Sequence, residues 1–201
     1  MQQLDEGYIK YDIRWKWEEG INKPELVELI NCRNQLKMNG LIGSYENGIG
    51  FGNISCRLKG NEFIISGTQT GDIEIANESN FSYVYDFDIS KNLLFCRGPV
   101  KASSEALTHA AFYAADININ AVIHVHDLQL WNNLLFIITT TEKHITYGTP
   151  EMANAIIKLL QEDHDLNKNK ILVMAGHEEG IFTFGSDLKE ARKILNKYLN
   201  S

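Results

Sequence analysis

His124 and His126 stand two residues apart in the run Ile-His-Val-His. Side chains at i and i+2 of a β-strand leave the same face, so both imidazoles would reach toward one point. A third histidine, His177, follows much later in Gly-His-Glu-Glu, and an acid, Glu105, lies upstream in Ser-Ser-Glu. Three imidazoles and a carboxylate, converged by folding, complete the ligand set of a zinc-like divalent cation. That chemistry belongs to a metal-dependent enzyme. Two imidazoles in a dry layer otherwise need other polar partners. The plainer alternative is one buried, hydrogen-bonded histidine beside one surface histidine. For His177 it is an ordinary loop residue, and for Glu105 a carboxylate favoured by the dipole in the first turn of a helix.

The neighbours of these residues divide by position. His109 lies four residues after Glu105 on the same helix face, where it orients the carboxylate or shares its pocket rather than binding a cation. Asp127, beside the histidine pair, is a candidate to hold an imidazole or move a proton. Glu178 and Glu179 lie next to His177, where loop acids are more often simply solvated. His144 and His164 have no supporting residues, and His164 sits in a polar stretch.

Three short segments present N–H and hydroxyl groups: Gly52-Asn53, the run Ser66-Gly-Thr-Gln-Thr-Gly71, and Ser103-Ser104 at a helix start. Small hydroxyls at a helix N-terminus suit a phosphate or carboxylate. Two have a structural alternative: Ser103 as a cap worth about 1 kcal/mol, the second run as a turn. None matches a nucleotide-binding glycine fingerprint. Their joint occurrence with the metal set carries the reading of Gly52, Asn53, Thr70, Gly71, Ser103 and Ser104 as an anion site.

The elements that must position these groups follow from periodicity and punctuation. Residues 24–39 read as a helix with Asn22 as cap, Pro24 in its first turn, and a stripe interrupted by Arg33. Gly40 ends it. The stretch 43–53 holds Gly43, Gly48, Gly50 and Gly52, which permits close backbone approach. Residues 54–58 and 62–66 read as a hairpin, and 81–87 with 93–96 as a second pair. Residues 104–116 read as a helix, 121–125 as a strand, and 145–147 as a short strand. Residues 151–161 read as a helix opened by Thr149-Pro150. Residues 171–175 and 181–184 read as a strand pair, and 187–198 as a last helix capped by Ser186 with Glu190 three residues into it. This order predicts an α/β chain: a three-layer αβα arrangement around a central, largely antiparallel sheet. Residues 1–201 form one domain in this reading, with 1–23 as an N-terminal extension.

The 201 residues suffice for a single sizeable core, and 44% apolar with 22% charged residues is ordinary for a globular chain. A net charge of −7 with no basic run argues against a nucleic-acid partner. Cys32, Cys56 and Cys96 are scattered and odd in number, which fits a reducing compartment. The acidic N-terminal residues do not form a signal peptide, and no apolar run is long enough to span a bilayer. A cytoplasmic enzyme without membrane attachment is the expectation.

Together, Gly52-Asn-Ile-Ser55, Thr70-Gly71, Ser103-Ser-Glu105, His124-Val-His126 and His177 resemble the class II aldolase/adducin family over roughly residues 25–199. The resemblance implies Zn2+ or another divalent ion on His124, His126 and His177, with Glu105 as the proton-moving carboxylate. It further implies a phosphate pocket from Gly52, Asn53, Thr70, Gly71, Ser103 and Ser104. The expected reaction is retro-aldol cleavage of a ketose phosphate through a metal-stabilised enediolate. The family's 4-epimerases and dehydratases are alternatives, as is a non-catalytic, adducin-like interaction module. A homotetramer with sites at subunit interfaces is implied as well. To shuttle protons, Glu105 would need a pKa raised toward neutrality by its surroundings. This chain has Glu178 where the family usually has glycine after the histidine. It is also short before Gly148-Thr-Pro150, where the family's catalytic tyrosine is expected; Tyr147 is a weak candidate.

Overall fold

The computed structural model describes residues 8–200. An eight-stranded sheet forms the middle layer. In chain order its strands are β1 (Asp12–Trp17), β4 (Asn53–Lys59), β5 (Glu62–Ser66), β6 (Phe81–Asp88), β7 (Leu93–Gly98), β8 (Ala121–His126), β9 (Ile171–Val173) and β10 (Gly180–Gly185). Across the sheet they run β1-β7-β6-β5-β4-β8-β10-β9. Every adjacent pair is antiparallel except β1 with β7. A separate two-stranded ribbon, β2 (Gly43–Ser44) with β3 (Gly50–Phe51), stands beside it.

Helices cover both faces. On one side are α2 (Ala106–Ala115), α4 (Pro150–Glu162) and α5 (His164–Asn169); their Leu107, Phe112, Ile156 and Leu166 share a core with Val122 and Phe182 of the sheet. On the other side are α1 (Glu25–Met38), α3 (Leu128–Leu134) and α6 (Leu188–Leu199); their Leu29, Leu130 and Leu195 pack with Ile54, Ile123 and Val125. Residues of even number on β8 therefore face α2, and those of odd number face α1 and α6. That parity sends His124 and His126 to the same face as α2. The three-layer, largely antiparallel expectation matches this arrangement.

Local chemistry explains most boundaries. Thr149 accepts from the Met152 N–H at 3.2 Å and Pro150 fills the first position of α4, whose buried Met152, Ala153, Ile156 and Leu160 form one stripe. Helix α6 begins one residue later than expected, with Asp187 rather than Ser186 as its cap. Asp187 accepts from the Glu190 N–H at 2.7 Å, while the Ser186 N–H and hydroxyl both donate to Glu190 Oε2. Asn22 does not cap α1: Pro24 occupies that position without a side-chain bond, and the Lys23 and Pro24 carbonyls take the first N–H groups. Helix α2 stops at Ala115, because Asp116 turns its side chain onto the Asn118 N–H at 2.8 Å. This leaves Ile117 exposed.

Residues 145–147 form no strand. Ile145 N–H bonds Glu142 in a turn, and the Thr146 carbonyl accepts from the Thr149 hydroxyl, so this backbone serves the start of α4. Strand β1, the β2–β3 ribbon and helices α3 and α5 were not anticipated. Among the described residues, no helix is long and apolar enough to cross a membrane.

Candidate metal centre

Strand β8 delivers His124 and His126, both buried, toward the N-terminal end of α2. His177 arrives from the turn between β9 and β10, which is closed by Gly180 N–H to His177 O at 3.0 Å and Met174 N–H to Gly180 O at 3.0 Å. Gly180 is needed here: a Cβ would lie 3.2 Å from both His124 Cε1 and His177 Cγ. One ligand atom from each of the three histidines falls within 4.8 Å of the others. Glu105 completes the group. Its Oε2 is 2.8 Å from His124 Nε2, and its Oε1 is 3.5 Å from His177 Nδ1.

The donor chemistry fits a divalent cation. His124 Nδ1 lies 3.1 Å from the Ile181 carbonyl, an acceptor only, which places the ring proton on Nδ1 and the Nε2 lone pair inward. That Nε2 faces His126 Nε2 at 3.1 Å and the Glu105 carboxylate at 2.8 Å. Lone pairs at these separations repel unless a positive charge lies among them. Ligands of a tetrahedral zinc site are themselves about 3.3 Å apart, from bond lengths of about 2.0–2.1 Å. Glu105 Oε1 is also buried without a hydrogen bond.

Glu105 occupies the position just before α2, yet its side chain makes no capping bond, so helix capping does not explain it. It is held from the side instead. Asn53 Nδ2 donates to Glu105 Oε2 at 3.1 Å, and Asn53 Oδ1 lies 2.5 Å from His109 Nε2. His109 Nδ1 meets Ser55 Oγ at 2.7 Å, which meets the Tyr113 hydroxyl at 2.6 Å. His109 thus orients the carboxylate through Asn53. Burial holds the His109 ring neutral, with its pKa lowered to about 3. The expected upward shift of Glu105 is not found. Burial does push its carboxyl up, but the His124 and His177 imidazoles outweigh burial and hold it well below the usual range. The carboxylate is ionised, an anion facing the three imidazoles.

All six residues read as an anion site border the same cavity as the histidines. Gly52 and Asn53 form one wall, Thr70 and Gly71 a second, and Ser103 and Ser104 a third. The Asn53 amide is spent on Glu105 and His109, and the Thr70 hydroxyl donates to the Gly67 carbonyl at 2.8 Å. Arg33, buried in α1, lies behind this wall. It donates to the Thr70, Gly71 and Ile73 carbonyls at 2.6, 3.3 and 2.5 Å. Thr68 and Gln69, within the run read as presenting N–H and hydroxyl groups, line the cavity as well, as does Phe51, which was not anticipated. Gln69 has a left-handed φ of 57°, which its sequence does not announce.

Tyr147 borders the cavity too, its ring 4.7 Å from that of His177. Asp127 is a helix cap, accepting from the Leu130 N–H at 2.8 Å. Glu178 is exposed to solvent, and Glu179 approaches His126 instead. His144 is exposed near Glu142, and His164 opens α5.

The family described as Class II Aldolase and Adducin N-terminal domain matches residues 28–198. No curated protein matches the sequence. Among solved structures, an L-fuculose 1-phosphate aldolase superposes with a TM-score of 0.67 at 20% identity, covering 90% of this chain and 84% of its own. YgbL from Klebsiella pneumoniae gives 0.63 at 16% identity, covering 89% and 86%. A sugar-phosphate aldolase from Thermotoga maritima gives 0.60 at 18%, covering 88% and 94%. At these identities the superpositions establish the shared fold.

Proposed function

Because the chain belongs to the class II aldolase and adducin N-terminal domain family, we propose that it is a zinc-dependent lyase that cleaves a ketose phosphate by retro-aldol chemistry. The observation that carries the reading is the convergence of His124, His126, His177 and an ionised, buried Glu105 on one side of a cavity. Its other walls offer small residues and hydroxyls at 67–71 and 103–104. An adducin-like interaction module would not need that donor set.

His124, His126 and His177 would hold Zn2+, which three imidazoles and a carboxylate suit. When bound, the ion supplies Lewis-acid polarisation of the substrate carbonyl and adjacent hydroxyl. Gly52, Thr70, Gly71, Ser103 and Ser104 receive the phosphate and fix the far end of the substrate, while Asn53 borders them with its amide committed to Glu105 and His109. Glu105, held by Asn53, accepts the proton that leaves the C4 hydroxyl as the C3–C4 bond breaks. It returns a proton to C3, so the products are an aldehyde and a three-carbon keto phosphate. A cytoplasmic homotetramer with its sites at subunit interfaces goes with this reading.

The test is product identification after incubation with a panel of ketose 1-phosphates in the presence of Zn2+. Dihydroxyacetone phosphate plus an aldehyde is expected. An epimerised pentose phosphate would replace the lyase with an epimerase, and loss of water alone would replace it with a dehydratase. No conversion by a zinc-loaded protein would overturn the enzymatic reading.

A further inference from the structure

His126 is held by more than its strand. The glycine-rich segment 43–51 folds into the β2–β3 ribbon, whose turn is closed by Tyr45 N–H to Ile49 O and Gly48 N–H to Tyr45 O, both at 2.9 Å. This ribbon lays two aromatic rings against the histidine. Phe51 stacks on the His126 ring at 5.3 Å, and Tyr45 meets it edge-on at 6.3 Å. The Tyr45 hydroxyl lies 2.9 Å from His126 Nδ1 and donates to Glu179 Oε2 at 2.8 Å. A hydroxyl has one proton. With that proton on the carboxylate side, Tyr45 Oη can only accept from His126. The ring proton then sits on Nδ1, and the Nε2 lone pair points at His124 and Glu105, as a ligand's must.

Glu179 supplies a second observation. Its φ is 67°, a left-handed conformation that glycine adopts freely and a glutamate does not. Strain of this kind persists where surrounding contacts over-determine it, and it clusters at functional sites. The same residue's carbonyl accepts from the Asp127 N–H at 3.2 Å, which ties the His177 turn to the end of β8. The turn therefore spends backbone strain at a position that brings a carboxylate to the Tyr45 hydroxyl.

We propose that Tyr45 and Glu179 form an outer hydrogen-bond relay to His126 that fixes its tautomer and sets the affinity of the histidine cluster for its cation. The relay rests on the metal reading above. It differs from the ligand set itself, because neither residue faces the cation position. Carboxylates that polarise a ligating histidine from its far nitrogen raise its basicity, and losing them typically weakens metal binding by about 10–100-fold. Here the carboxylate acts through a phenol.

The experiment titrates chelator-stripped protein with Zn2+ against a competing chromophoric chelator. Wild type, Tyr45→Phe, Glu179→Gln, Glu179→Gly and the Tyr45→Phe/Glu179→Gln double variant are compared, with melting temperatures of the stripped forms. About 10–100-fold weaker zinc binding is expected for Tyr45→Phe and for Glu179→Gly. A smaller loss is expected for Glu179→Gln, which still accepts from Tyr45. The double variant should lose less than the sum of its parts, since both act on one nitrogen. Glu179→Gly should melt at or above the wild-type temperature, because glycine relieves the backbone; a merely structural role would lower stability and affinity together. Nitrogen-15 NMR of the stripped wild type should show the His126 proton on Nδ1. Affinities within twofold of wild type in every variant, or the His126 proton on Nε2, would overturn the relay alone. A wild type that takes up no zinc would overturn the metal reading and the relay with it.

Discussion

The guanidinium of Arg33 donates to the Thr70 carbonyl at 2.6 Å, although the two residues lie on different elements and the arginine does not border the cavity. A cation held against the carbonyl side of the 70–73 peptides polarises them, so their N–H sides become stronger anion donors. The positive charge that the cavity wall lacks is thus present one layer behind it.

Replacing Arg33 should therefore loosen that wall. Arg33→Met leaves three carbonyls without their donor and is expected to cost about 2–3 kcal/mol of stability by denaturant unfolding. Arg33→Lys keeps the charge but not the fork. It should raise KM for the phosphorylated substrate about tenfold while changing kcat less. Equal effects on kcat and KM, or none, would remove Arg33 from substrate binding.

Glu105 and His126 should separate cleanly on substitution. His126→Ala removes one of the three imidazoles proposed to hold zinc and is expected to lose stoichiometric zinc, measured by elemental analysis, with turnover lost as well. Glu105→Gln keeps the Asn53 contact and the three histidines. It should retain most of the zinc while kcat falls by at least a hundredfold. Turnover near wild type in Glu105→Gln would mean another group moves the proton.

The parts legible in the sequence were those with a short-range physical cause. The i,i+2 spacing of His124 and His126 fixes their common face whatever the tertiary fold, and Thr149-Pro150 marks a helix start by its own chemistry. Strand β1 carried a signal as well: Ile13, Trp15 and Trp17 alternate with Arg14 and Lys16. Its charged face suits the sheet edge it occupies. Arg33 read as a flaw in an apolar stripe, because its partners at 70–73 are brought to it only by the fold. The direction of the Glu105 shift failed for the same reason. Burial alone raises a carboxyl pKa, and nothing local says that two imidazoles will stand beside it.

His109 makes stability depend on acid. Its folded pKa is about 3 against an ordinary 6.5, chiefly through burial. Below pH 6.5 the unfolded chain takes up a proton that the folded chain refuses until about pH 3. This contribution is complete above pH 6.5 and declines as pH falls through that window, by about 1.4 kcal/mol per unit. In metal-free protein, His109→Gln should flatten the stability–pH curve between pH 6 and pH 4 by about that slope. Parallel curves for the two proteins would mean that His109 does not titrate on unfolding.

Gly71 separates packing from chemistry at the cavity wall. A Cβ on Gly71 would lie 2.0 Å from the Gly43 carbonyl oxygen and 3.2 Å from Gly50 Cα, and both contacts are backbone that cannot rotate away. The 70–71 wall and the β2–β3 ribbon touch here, so the ribbon must shift if the residue grows. Gly71→Ala is expected to cost about 1–3 kcal/mol in denaturant unfolding. Because Tyr45 and Phe51 ride on the ribbon, zinc affinity should fall in the same variant, although Gly71 contributes no ligand. Weaker phosphate-dependent binding with zinc affinity unchanged would show that the glycine serves the anion alone and that the ribbon does not transmit the shift.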